Sequence, residues 1–210
     1  MMELLWLLLP IAAASGWWAA QRSPMGRNSA AVRNADYFKG LNYLIDDQPD
    51  QAIEVFTRMA DVDRDTAEIH LALGNLFRRR GEVDRAIHIH GSLITRTHLT
   101  TDQRQRAMLE LGEDYLRAGL FDRAEELFRE LVEQPDHTQV ALARLIHIFQ
   151  QEKDWRQAIT HCDRLKEIGG ESKQRETAHF CCELAEEAAA GGQDEEARSW
   201  LREALTRDPD

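Results

Sequence analysis

The sequence predicts an all-α protein in which a stack of helix pairs follows a single apolar N-terminal helix. Three observations predict it. An uncharged run fills residues 4–20. Alanines that open an apolar helix after a turn recur at Ala52, Ala86, Ala124, Ala158 and Ala197, at spacings of 34, 38, 34 and 39. Aromatic residues make up only 7% of the 210-residue chain against 30% charged, which suits helices better than sheets.

The apolar run reads LLWLLLPIAAASGWWAA. As a helix its seventeen residues span about 26 Å, slightly short of a ~30 Å hydrocarbon core. Met1 and Met2 lengthen it, Trp17 and Trp18 sit where interfacial aromatics belong, and Pro10 is tolerated in a membrane helix. A cleaved signal peptide is the competing reading, since Ala12, Ala13 and Ala14 offer a small-residue site. Such peptides open with positive charge, however, and only Glu3 precedes this run. The cations Arg22, Arg27 and Arg33 follow it, so the positive-inside rule places the body in the cytoplasm and the N-terminus outside. Residues 1–20 are therefore expected to be a transmembrane anchor and residues 21–33 a polar tether.

Placing each marker alanine at position 20 of a 34-residue unit aligns other columns. Position 8, where paired helices press together, holds Gly40, Gly74, Gly112, Ile146 and Ala185. Position 11 holds Tyr43, Phe77, Tyr115, Phe149 and Ala188. Position 24 holds Phe56, His90, Phe128, Cys162 and Leu201, and position 27 holds Met59, Leu93, Leu131, Leu165 and Ala204. This is the tetratricopeptide pattern, with units at about 33–66, 67–100, 105–138, 139–172 and 178–210. The longer spacings read as insertions between units. Glycines end helices at Gly81 and Gly119, and an acid two residues before the marker alanine (Asp50, Asp84, Asp122, Glu195) is placed to cap the next helix; Arg156 breaks that column. The fold class is a tetratricopeptide-repeat α-solenoid behind one transmembrane helix. No polar helix follows the fifth unit, so Leu201 and Leu205 are expected to lack a covering neighbour.

Such arrays bind peptides or helices in the groove lined by the first helix of each pair. The groove columns supply Asn75, Arg78 and Arg79, then Glu113 and Arg117, then His147, Gln150 and Gln151. A C-terminal carboxylate grip needs Lys where Leu71 stands, so chaperone tails are not expected ligands. The net charge of −11, with no basic stripe, argues against nucleic acid. Cys162, Cys181 and Cys182 form neither a CxxC pair nor a disulfide framework, and read as neutral thiols. His88 and His90 are two apart and face different sides of a helix. No zinc-protease, serine-hydrolase or phosphate-loop motif is present, so no enzyme and no metal are expected.

The opening MMELLWLLLPIAAASGWW and the stretch LALGNLFRRRGEVDRAIHIH (residues 71–90) resemble the lipopolysaccharide assembly protein B family of Gram-negative bacteria. LGEDYLRAGLFDRAEELF (111–128) and AHFCCELA (178–185) are similar to the same family. The resemblance implies an inner-membrane adaptor that brings the lipid A deacetylase LpxC to the membrane protease FtsH, alongside other lipopolysaccharide assembly proteins. The other reading is a structural scaffold that gathers synthesis and export proteins without affecting their turnover. Family members continue into a rubredoxin-like module with two CxxC knuckles for iron or zinc; these 210 residues contain no such module, so no metal is expected in them.

Overall fold

A computed structural model of the chain describes residues 25–62 and 66–208, with side chains from residue 35 onward except at Val62. The expected anchor lies outside these residues. Among the described residues no helix is long and apolar enough to cross a membrane. Ten helices are described: α1 (Met25–Ile45), α2 (Pro49–Val62), α3 (Ala67–Arg80), α4 (Val83–Ile94), α5 (Thr101–Ala118), α6 (Phe121–Val132), α7 (Thr138–Glu152), α8 (Trp155–Glu167), α9 (Gln174–Ala190) and α10 (Asp194–Arg207). The chain divides into two compact units, Met1–Ile69 and His70–Asp210.

In the first unit α1 and α2 form one hairpin. Helix α1 starts at Met25, inside the stretch read as a tether. Residues 28–33 include two alanines and no glycine or proline, so nothing there stops a helix once begun. Helix α2 opens on Pro49, whose missing N–H is not needed in a first turn. It buries Ala52, Val55, Phe56 and Met59, an i, i+3, i+4, i+7 stripe.

In the second unit, successive helices from α4 to α10 pack each on the next, and α4 closes on α3 where His90 meets Gly74. The marker alanines Ala86, Ala124 and Ala158 have no exposure at all. One core runs from Met108 to Ala204, through Phe128, Leu131, Leu142, Phe149 and Phe180. The ring of Trp155 stacks on Phe180 at 5.5 Å, and its indole N–H donates to Glu187 at 3.0 Å, tying α8 to α9.

The hairpin turns share one backbone solution. A left-handed residue ends the first helix at Asp47, Gly81, Gly119, Lys153 and Gly192, with φ of 56, 87, 73, 59 and 73°. The next N–H reaches back to the position-11 carbonyl: Gln48 to Tyr43, Glu82 to Phe77, Leu120 to Tyr115, Asp154 to Phe149 and Gln193 to Ala188. This is a Schellman closure, which satisfies carbonyls that the helix end leaves open. The sequence pattern points to helix ends at Gly81 and Gly119, and not to those at Asp47, Lys153 and Gly192.

Two expectations about helix starts need correction. Asp84 and Asp122 do not cap; the N-cap positions are Glu82 and Leu120, without side-chain capping bonds. The acids sit inside the first turn, where they favour the positive end of the helix dipole. Asp154, outside that column, does accept from a backbone N–H (Gln157, 3.1 Å). Arg156 departs from the acidic column because it lies 5.1 Å over the Trp200 ring and donates to Glu196 at 2.6 Å. The longer spacings are also not plain insertions. They extend α5 and α9 at their N-termini, to 18 and 17 residues against 14 in α3 and 15 in α7. A capping box between Thr100 and Gln103 starts α5.

Positions 8 and 24 explain how close the paired helices come. A Cβ on Gly40 would lie 2.7 Å from Phe56, one on Gly74 2.3 Å from His90, and one on Gly112 2.6 Å from Phe128. The rings fill the space a side chain would need. The fourth pair reverses the sizes, with buried Ile146 and Cys162 in the same positions. Replacing Gly112 with Ala is therefore expected to lower stability by about 1–3 kcal/mol, because the Phe128 ring is rigid and enclosed. Thermal melts would check it, and adding Phe128→Leu should recover part of the loss.

Candidate partner-binding groove

The first helices of three hairpins, α3, α5 and α7, carry the candidate groove residues. Arg78 is the centre of their polar structure. One of its guanidinium nitrogens donates to Asp114 at 2.8 Å and to the Glu110 carbonyl at 3.0 Å. The other donates to the Glu110 carboxylate at 2.6 Å and to Asn75 at 2.8 Å. Behind it, Asp114 and His90 are both fully buried, and His90 Nδ1 lies 2.5 Å from Asp114 Oδ2. His90 Nε2 faces the Leu71 carbonyl at 3.3 Å. The network thus links α3, α4 and α5.

Its electrostatics follow from that geometry. Burial works against the Arg78 guanidinium, but hydrogen bonds to Glu110 and Asp114 and their charge outweigh it and raise its pKa. A carboxylate with no exposure is tolerable only because a cation and an imidazole meet its two oxygens. Sequence reading had singled out Asn75 and Arg78 but not Glu110 or Asp114. It had placed His90 in the core column, where a phenylalanine stands in the first and third hairpins. A histidine in an apolar column was the available sign that a buried acid faces it.

In front of Arg78 lies an open cavity of about 450 Å³. Arg78, Arg79, Glu113, Arg117 and His147, all from the groove columns, line it. Leu116 and Arg144 line it too and were missed. Arg144 stands outside the groove columns; its length lets Nε donate to Glu113 across the helices. Asn75 is held behind the cavity on Arg78, and Gln150 and Gln151 are exposed outside its lining. Arg79 and Arg117 are exposed and have no carboxylate partner among the described residues.

The buried cysteines lie apart from this cavity. Burial pushes the Cys181 thiol up to about 11 and raises Cys162 as well, which leaves both as thiols and not nucleophiles. Among the described residues no three His, Cys, Asp or Glu side chains gather as a metal site. The described side chains hold charge and shape, the means of binding.

Models of the tetratricopeptide repeat match residues 39–96, 103–172 and 178–210. The chain belongs to the tetratricopeptide repeat family. It is 43% identical to lipopolysaccharide assembly protein B of Escherichia coli (strain K12), over 99% of this chain and 54% of that protein. It is 38% identical to the protein of the same name from Haemophilus influenzae, over 100% of this chain and 55% of the relative. The chain thus spans about half the length of the curated relatives it matches. Among solved structures, MamA superposes with a TM-score of 0.61 at 15% identity, covering 84% of this chain and 92% of that one. That likeness speaks for the tetratricopeptide fold alone.

Two predictions test this electrostatic frame. Replacing Asp114 with Ala leaves buried His90 Nδ1 unpaired and takes one of two carboxylates from Arg78, and is expected to cost about 3–5 kcal/mol. Replacing Asp114, Arg78 and His90 together by Leu, Leu and Phe should restore most of that loss in chemical denaturation. The second concerns His161, stacked flat on Phe149 at 5.3 Å with neither ring nitrogen hydrogen-bonded. Burial, then Arg129 and Arg164, lower its pKa. The unfolded chain therefore takes the proton more readily, so stability falls as pH drops below about 6.5. Melts from pH 7 to 5 should show that slope in the parent and a shallower one in His161→Phe.

Proposed function

We propose that the chain is a non-catalytic adaptor of lipopolysaccharide assembly, anchored in the inner membrane by residues 1–20 with its repeats in the cytoplasm. In this reading the repeats hold the deacetylase LpxC and the anchor keeps it beside the membrane protease FtsH. The observation that carries it is the 43% identity to lipopolysaccharide assembly protein B across almost the whole chain. A groove that offers charge and no reactive group supports binding over catalysis. The positive charges after the apolar run support the orientation.

The physical advantage is effective concentration. A substrate held on a tethered repeat domain meets a membrane protease as if at millimolar concentration, although each contact is weak. Degradation of the deacetylase would then follow occupancy of the groove.

The test is the half-life of the deacetylase in cells depleted of the complete protein. Depletion should lengthen it; restoring the intact protein should shorten it again, and a version without residues 1–20 should not. A half-life that never moves would sink the adaptor reading and leave a scaffold that gathers synthesis and export proteins.

A further inference from the structure

The groove holds two arginines that the fold does not use. Arg78 is saturated by Glu110, Asp114 and Asn75, and Arg144 is held by Glu113. Arg79 and Arg117 open on the same cavity without a partner among the described residues. The chain as a whole carries 37 acids against 26 basic residues, yet four arginines and one glutamate line this cavity. We infer that the cavity recognises an acidic segment of a partner protein, with Arg79 and Arg117 each taking one carboxylate side chain. This rests on the adaptor reading and names the partner's chemistry.

The placement sets a spacing. Arg79 and Arg117 occupy position 13 of consecutive units, each in the last turn of its helix. The bonds from Arg78 to Asp114 and Glu110 set the ends of α3 and α5 that carry Arg79 and Arg117 beside each other on the cavity. In an extended chain side chains alternate between faces, so carboxylates at i and i+2 point the same way about 7 Å apart, within reach of two long arginine side chains. The frame between the two arginines is stiff, because Arg78 and Asp114 clamp α3 to α5 through a buried ion pair.

The same geometry disfavours phosphate. Glu113 sits in the lining, and Glu110 and Asp114 stand directly behind it. A dianion would feel that negative charge twice over, while single carboxylates can seat on one guanidinium each, with Leu116 beneath the peptide's methylene groups.

The test uses the full 210-residue chain in detergent and a fluorescein-labelled Gly-Ser peptide with two Glu residues at i and i+2. Anisotropy should show saturable binding that weakens as sodium chloride rises. The matching Gln peptide should bind about tenfold more weakly, as should the Glu peptide to the Arg79→Gln, Arg117→Gln double variant. Both arginines are exposed and unpaired, so the double variant should melt at the parent temperature, which separates lost recognition from lost folding. Equal binding of the Glu and Gln peptides overturns the proposal, as does undiminished binding by the double variant. Inorganic phosphate displacing the peptide at lower concentration than acetate assigns the cavity to phosphate and also overturns it. Since the probe is synthetic, such failures leave the turnover experiment above untouched.

Discussion

The contact on which the rest of the structure depends is between position 8 of one helix and position 24 of its partner. Where glycine meets an aromatic ring, at Gly40 and Phe56 or Gly112 and Phe128, the ring lies where a methyl group would be. Dispersion and burial both favour that closeness, because a dense contact leaves no room for water and no void. It sets how near the two helices lie, and so which carbonyl the following turn can reach. The common closure from position 16 to position 11 follows in all five hairpins, including those with no glycine at the turn. The fourth hairpin carries Ile146 and Cys162 at these positions, both buried, with the larger side chain on the first helix.

The second hairpin departs from this with purpose. His90 fits against Gly74 as a ring does elsewhere, but it brings two nitrogens into a dry site. One meets Asp114, whose other oxygen takes Arg78, and Arg78 reaches on to Glu110. Apolar packing would tolerate small sliding between α3 and α5. A buried ion network does not, because each displaced charge loses a partner where water cannot replace it. The groove side of these helices is thereby held in one arrangement.

Further along, the polar decoration is set by position in the same way. Arg156 interrupts a column of acids and faces Glu196, whose carboxyl it holds below the ordinary range by a direct hydrogen bond. On α10, Leu201 is 47% and Leu205 67% exposed.

The sequence by itself determined the repeat, its helix pairs and its core. A 34-residue period in small, aromatic and aliphatic columns is a local statement about which faces must be buried, and each hairpin obeys it separately. Five of the groove positions, from Arg78 to His147, also lay in columns that place them on one cavity. Only the tertiary structure decided which of those charges are paired and which remain free. Arg78 and Arg79 are neighbours of identical type, yet one is held by Asp114 and Glu110, 36 and 32 residues away, and the other is not. The sequence reading also did not place the helix boundaries at Met25, Thr101 and Gln174 or the left-handed turn at Lys153. Pairing and strain depend on what a neighbouring helix presents, and no single segment of sequence contains that information.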